Sequence, residues 1–228
     1  YPTAHTPSLK GVSLTILKNQ SIGFVGKTGS GKTTLARVLL GVWPILSGKV
    51  RLDNADVHAW NKTELGPHVG YLPQDVELFE GSLAENIARF GDIDEQKLHQ
   101  AIRLAGLETL VASWLDGMQT PIGVDGAFLS GGQRQRVGLA RAAYGTPKFI
   151  VLDEPNSSLD EAGDAVLLEM LFALKRVGST VVVVTHRKTI LPAVDKLLVM
   201  RDGRAQIFGE RDQVLAALQP QATAEGRA

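Results

Sequence analysis

The apolar residues of this chain follow two different periods, and the changes between them outline alternating strands and helices. Val12, Leu14 and Ile16 alternate with Ser13 and Thr15, which predicts a half-exposed strand over residues 12–17. Ile22-Gly23-Phe24-Val25 is a short continuous apolar run and predicts a second strand. A helical pattern begins at Lys32, carries its apolar side through residues 35–40 and stops at Gly41. Trp43-Pro44 and Ser47-Gly48 then turn the chain into a strand over residues 49–52. Residues 92–145 read differently. Asp92 and Asp94 are caps for a helix with Leu98, Ile102 and Ala105 on one face, Gly106 closes it, and more helix is expected through Trp114 and Leu115. Strands return over residues 149–152, 180–185 and 196–200, with a capped helix over 160–177 between the first two. Asp202-Gly203 reads as a hairpin turn leading into 205–208, and 211–218 as a last short helix. The tail 219–228, rich in Gln, Ala and Gly, is expected to be disordered. Strand, helix, strand in this order points to an α/β fold with a parallel sheet.

Composition narrows the class. The 228 residues suffice for one large domain, or one domain with a smaller subdomain. Twenty-four basic residues balance twenty-four acidic ones, so no net field draws the chain to nucleic acid, and no nucleic-acid partner is expected. The absence of cysteine excludes disulfides and thiolate metal sites and fits a reducing compartment. No apolar run approaches the ~20 residues of a membrane span. The chain begins at Tyr1 without Met and without signal-peptide character, and is expected to be a segment of a longer polypeptide.

The candidate chemistry starts at Gly26-Lys27-Thr28-Gly29-Ser30-Gly31-Lys32-Thr33, followed by Thr34, between the strand 22–25 and the next helix. The G-x-x-x-x-G-K-[ST] spacing predicts a loop whose amides cradle phosphates. Its glycines would spare the phosphate oxygens a Cβ, Lys32 would reach the terminal phosphates, and Thr33 would offer its hydroxyl to Mg²⁺. A second element, residues 148–154, is an apolar strand ending in Asp153 and Glu154. Asp153 is placed to hold Mg²⁺ through its water shell, and Glu154 to orient and deprotonate an attacking water. Taken alone, the two carboxylates would read as solvated groups at a strand end.

Between these motifs stands Leu129-Ser130-Gly131-Gly132-Gln133, which opens a helix with a second small nest of amides. A phosphate loop, then this pentapeptide, then a strand ending Asp153-Glu154-Pro155 is similar to the order in ATP-binding-cassette (ABC) ATPases, over nearly the whole chain. The resemblance implies a P-loop NTPase, RecA-like parallel-sheet core formed by residues 1–74 and 146–218. An antiparallel β layer and an inserted α-helical signature subdomain over 75–145 would complete it. It implies ATP and Mg²⁺ as ligands and assigns Gln74 to sensing metal and water. His186 becomes the switch histidine on the γ-phosphate, Ser158-Leu159-Asp160 the D-loop and Tyr1 the aromatic that stacks on adenine. For His186 a satisfied structural histidine is the plain alternative, and for Tyr1 a frayed terminus. Gly26 through Thr34 and Ser130 through Gln133 are then two halves of nucleotide sites shared by two copies in an ATP-dependent homodimer.

Residues 78–87, Leu-Phe-Glu-Gly-Ser-Leu-Ala-Glu-Asn-Ile, resemble the stretch of exporter cassettes that faces a membrane domain. Together with Gly41-Val42-Trp43-Pro44, the run from Tyr71-Leu72-Pro73-Gln74 to Leu78-Phe79, and Asp153-Glu154-Pro155-Asn156, this stretch looks most like the ATPase domain of bacterial type I protein-secretion exporters. That implies an N-terminal transmembrane domain, a place on the cytoplasmic face of the inner membrane, and periplasmic adaptor and outer-membrane channel partners. Lys27 and Val124-Asp125 depart from the pattern, the latter standing where such exporters often have Glu. Two other classes are weighed. A soluble cassette acting on nucleic acid or ribosomes remains the alternative, although no sustained heptads appear between the motifs. A GTPase is prompted by Asn61-Lys62-Thr63-Glu64, but the last residue is wrong and the position too early, so a polar loop is expected there.

Overall fold

The computed structural model describes residues 7–218. In chain order they form β1 (Ser21–Val25), α1 (Lys32–Leu39), β2 (Arg51–Leu52), β3 (Ala55–Asp56), α2 (Lys62–Leu65), β4 (Val69–Leu72), α3 (Leu83–Ile87), α4 (Glu95–Leu104) and α5 (Glu108–Ala112). Then follow α6 (Gly131–Ala143), β5 (Phe149–Asp153), α7 (Glu161–Arg176), β6 (Thr180–Val184), β7 (Lys196–Arg201), β8 (Arg204–Glu210) and α8 (Arg211–Leu218). A six-stranded sheet runs β4-β5-β6-β1-β7-β8. Its strands are parallel from β4 to β7, and β8 is antiparallel to β7. Every residue of β5 is buried, as is the sheet core of β6, which is why these strands read as unbroken apolar runs and not as alternations.

The sheet is covered on both faces, and the two-residue period of a strand decides which side chain meets which layer. Val182 and Val184 pack with Ile22, Phe24 and the α1 residues Leu35 and Ala36. Val181 and Val183 point the other way and join Ile150, Leu152, α6, α7 and the shorter helices α3 and α4 in one continuous core. The helices between β4 and β5 therefore have no separate core. They are joined to the sheet through the buried face of α6.

Local signals placed most ends. Asp94 caps α4 by accepting from the Lys97 amide at 3.1 Å, and Asp160 caps α7 by accepting from that of Gly163 at 2.8 Å. Asp202 (φ 51°) and Gly203 (φ 78°) make the two-residue turn between β7 and β8. Several expectations are corrected. Residues 12–17 keep the predicted alternation of half-buried and exposed side chains, with Val12, Leu14 and Ile16 against the core, yet they form no strand. Periodicity reports burial, whereas a ladder needs a partner strand, and none among the described residues runs beside them. The strand expected over 49–52 shortens to β2, paired only with β3, so the antiparallel parts are this small hairpin and the β7–β8 edge. Helix α5 ends at Ala112, before Trp114 and Leu115. Asn61-Lys62-Thr63-Glu64 is the capped start of α2, with the Asn61 side chain accepting from the Thr63 amide at 3.0 Å, and not the polar loop expected there. Tyr1 and the tail 219–228 lie outside the described residues.

Candidate active site

Parallel register brings the predicted residues to one edge of the sheet. Phe24 is level with Val184, Asp153 with Val184, and Leu72 with Leu152. The chain leaves these carboxyl ends as the loop after Val25, as Glu154, as Thr185-His186 and as Pro73-Gln74, the edge where open α/β sheets hold ligands. Gln74 is exposed there, just past β4 and beside β5.

The loop after β1 is closed by its own lysine. Lys32 is 4% exposed, and its ammonium donates to the carbonyls of Gly26 (2.9 Å) and Lys27 (3.0 Å) and to Ser30 Oγ (3.5 Å). Burial lowers the Lys32 pKa, while the charges of Glu154 and Asp153 oppose the shift. Gly31 occupies the N-cap of α1 at φ 99° with no side-chain cap, and no acidic residue stands in the first turn. The first amides of α1 are thus left to an anion.

The structure revises the reason for the glycines. A Cβ on Gly26 would lie 2.3 Å from the Met200 carbonyl oxygen of β7, and one on Gly31 3.1 Å from Leu9 and 3.2 Å from the Ser8 carbonyl. Close packing requires glycine at 26, whereas at 31 a tight fit adds to a φ of 99° that already favours glycine. Around Gly29 there is open space, and its φ of 79° is what favours glycine. The turn at Gly203 buttresses the same loop: its N–H donates to Ser30 O at 3.1 Å, and its carbonyl accepts from Lys10 N–H at 2.8 Å.

Opposite the loop, Asp153 is fully buried. Its Oδ1 accepts from Thr33 Oγ1 at 3.1 Å, and its Oδ2 has no partner among the described residues. An orphaned carboxylate oxygen beside a threonine hydroxyl, next to free helix amides, suits a hydrated divalent cation that completes its shell with phosphate oxygens and water. Thr33 and Asp153 are the residues that could hold it.

Burial raises the Asp153 pKa above the ordinary carboxylate value; the Thr33 hydroxyl bond, Arg37 and Lys32 oppose the shift and Glu154 adds to it. Between the unfolded and the raised native value, the native state binds more protons than the unfolded one. Stability from this group therefore falls as pH rises through that window and stays low above it. Without metal or nucleotide, Asp153→Asn is expected to melt at a higher temperature than wild type at neutral pH, with the difference closing in acid below the window. Thermal melts by circular dichroism across pH check this, and a lower neutral melting point for the variant would contradict it.

Glu154 follows directly, in a left-handed backbone conformation (φ 50°). Its N–H donates to Val184 O at 2.9 Å, and its Oε1 meets His186 Nε2 at 2.8 Å. The His186 side chain is 43% exposed and that of Glu154 24%, so both reach the surface at the sheet edge. With Glu154 ionised, His186 Nε2 carries the proton of this contact. Oε2 makes no hydrogen bond to the described residues and is left to accept from a water.

The signature pentapeptide stands apart from the phosphate loop. No hydrogen bond joins residues 129–133 to residues 26–34 among the described residues. Ser130 and Gln133 form a capping box on α6: Ser130 N–H donates to Gln133 Oε1 (2.8 Å), and Gln133 N–H to Ser130 Oγ (3.2 Å). Local folding uses those two side chains. Gly131 is left exposed at the helix start, and Gly132 lies close enough to Ser158 that a Cβ would sit 3.2 Å from its carbonyl oxygen.

Two connections were not foreseen from the sequence. Gln135 of α6 donates to the carbonyls of Pro155 (2.9 Å) and Glu154 (3.4 Å). Arg187, next to His186, donates to Asp164 Oδ2 at 3.0 Å and to Leu159 O at 3.4 Å, and Thr189 also donates to Asp164. The segment after β6 is thereby fastened to Leu159 and to α7. A glutamine at a position that the helical period assigns to the buried face was the available clue to the first.

Comparison with known proteins gives concordant results. Residues 9–157 match the ABC transporter family. The chain is 46% identical over 222 residues to the type I secretion system ATP-binding protein PrsD of Rhizobium meliloti (strain 1021), covering 96% of this chain and 38% of that protein. It is 35% identical over 211 residues to an ATP-dependent lipid A-core flippase of Saccharophagus degradans, covering 92% of this chain and 36% of the flippase. Among solved structures, a bacterial Atm1-family ABC exporter with ATP bound superposes with a TM-score of 0.84 at 28% identity, over 92% of this chain and 37% of the exporter. The chain thus spans less than two-fifths of the length of these relatives.

Proposed function

The chain belongs to the ABC transporter family, and from that premise we propose that it is the nucleotide-binding domain of an exporter, hydrolysing ATP to drive a substrate across a membrane. The observation that carries the reading is the Glu154–His186 contact of 2.8 Å beside the Thr33–Asp153 contact of 3.1 Å, at one edge of the sheet. In this reading Gly26 through Thr34 wrap the phosphates, and Lys32 turns from the loop carbonyls to the terminal phosphates. Thr33, Asp153 and Gln74 would hold Mg²⁺, which would neutralise negative charge on the phosphates. Glu154 accepts a proton from the attacking water as the water oxygen bonds the γ-phosphorus, and the bond to the β–γ bridging oxygen breaks to release ADP. His186 fixes the Glu154 carboxylate and turns toward the γ-phosphate. Tyr1 stacks on adenine, and Ser130 through Gln133 of a second copy close the site.

The finer reading is protein export. The higher identity to a type I secretion protein than to a lipid A-core flippase supports it. Residues 75–145 would then act as the signature subdomain and receive a transmembrane domain carried N-terminally in the same polypeptide. The ATPase would work on the cytoplasmic face of the bacterial inner membrane, with a periplasmic adaptor and an outer-membrane channel completing the path. The full-length polypeptide, reconstituted in vesicles, is the test. ATP-dependent protection of a secreted protein from external protease is expected, whereas ATP-dependent movement of a labelled lipid without protein transport would replace protein by lipid as the cargo.

A further inference from the structure

We propose that Gln135 is a positioning residue for the catalytic carboxylate, holding the backbone of Glu154 and Pro155 from α6; the inference rests on the reading of Glu154 as general base. Gln135 is 3% exposed and is the polar exception among the buried residues of α6, which otherwise are Val, Gly, Leu and Ala. A buried primary amide has two hydrogens to satisfy, and here two carbonyls meet them, Pro155 O at 2.9 Å and Glu154 O at 3.4 Å. Pro155 is buried too, so its carbonyl would lose this partner with Gln135.

The place of this contact gives it a task beyond packing. Glu154 leaves β5 in the left-handed region (φ 50°), where a non-glycine residue persists only if its surroundings hold it. Its amide is fixed by Val184 O, its carboxylate by His186, and its carbonyl accepts from Ser157 N–H (3.1 Å) and from Gln135. Gln135 is the side chain that reaches this peptide from a different element. The same helix opens with Ser130 and Gly131, so whatever docks at the exposed start of α6 shares a rigid element with the backbone that aims Glu154.

The test uses Gln135→Met, which keeps the length of the side chain and removes both donors. The turnover number for ATP is expected to fall on the order of 10-fold with KM and nucleotide affinity unchanged, since a misaimed base costs rate and not binding. In a Glu154→Gln background the same substitution is expected to change the residual rate less than about 2-fold, because the two act through one group. A purely packing role would instead lower both backgrounds alike, together with the melting temperature, and would overturn the inference. Full turnover in Gln135→Met alongside a crippled Glu154→Gln would overturn it while leaving the base assignment intact. Wild-type turnover in Glu154→Gln itself would remove the base assignment, a separate failure. If Gln135→Met does not fold, Gln135→Glu serves in its place. A protonated carboxyl can still donate to Pro155 O and an ionised one repels both carbonyls, so turnover relative to wild type is expected to rise as pH falls. A ratio independent of pH would count against the proposal.

Discussion

Glu154→Gln is expected to bind ATP as wild type does and to hydrolyse it at least ~10²-fold more slowly, the scale of a lost general base. The amide has the size of the carboxylate and can keep the contact with His186, since its oxygen still accepts from Nε2–H. The left-handed backbone and its bond to Val184 O are also unchanged by the replacement. What disappears is the basicity of the second oxygen, the one with no hydrogen bond to the described residues. Steady-state phosphate release and equilibrium nucleotide binding separate the two effects. Near-normal turnover would remove Glu154 from the chemistry and leave the His186 contact as a structural one.

Mixing Lys32→Ala chains with Ser130→Arg chains is expected to restore ATPase activity that neither variant has alone. Within one chain the signature makes no hydrogen bond to the phosphate loop, and its capping box leaves Gly131 facing outward. Such a nest is useful to a phosphate held by another copy. ATP would then hold the dimer together and ADP would not, because ADP lacks the phosphate that both sides share. Lys32→Ala removes the ammonium that would reach the terminal phosphates and that here donates to the Gly26 and Lys27 carbonyls. Ser130→Arg removes the cap, at a cost of about 0.5–2 kcal/mol to α6, and fills the space in front of the nest. Each homodimer has two damaged sites, whereas the mixed dimer has one site with both defects and one with neither. Melting curves verify that both variants are folded. Provided one intact site can turn over alone, mixtures of folded variants that stay inactive at every ratio would exclude the shared site; a Ser130→Arg chain with wild-type turnover at every protein concentration would exclude it directly.

The sequence alone was enough for elements whose signals are local. The phosphate loop after β1 and the caps of α4 and α7 follow from short-range patterns, because capping is decided within a few residues. Strands β5, β6 and β7 and the turn at Asp202-Gly203 were legible for the same kind of reason: continuous apolar runs mark buried parallel strands, and Asp-Gly supplies two residues with positive φ. The order of the motifs identified the family before any residue had a position in space. From these followed the residue types that would meet a nucleotide.

Which of those residues touch, and what holds them, was decided by the tertiary structure. The alternation over residues 12–17 foretold the burial of Val12, Leu14 and Ile16 but not the absence of a ladder, since a backbone bond depends on a strand arriving from elsewhere. The motif foretold glycine at 26 without its cause, which is the Met200 carbonyl, brought there by the pairing of β1 with β7. Nothing local announced the left-handed Glu154, its contact with His186 some thirty residues on, or the reach of Gln135 across from α6. Periods and caps are short-range properties that a chain carries along its length. The aim of a carboxylate is set where several strands end side by side, and only the closed sheet fixes that.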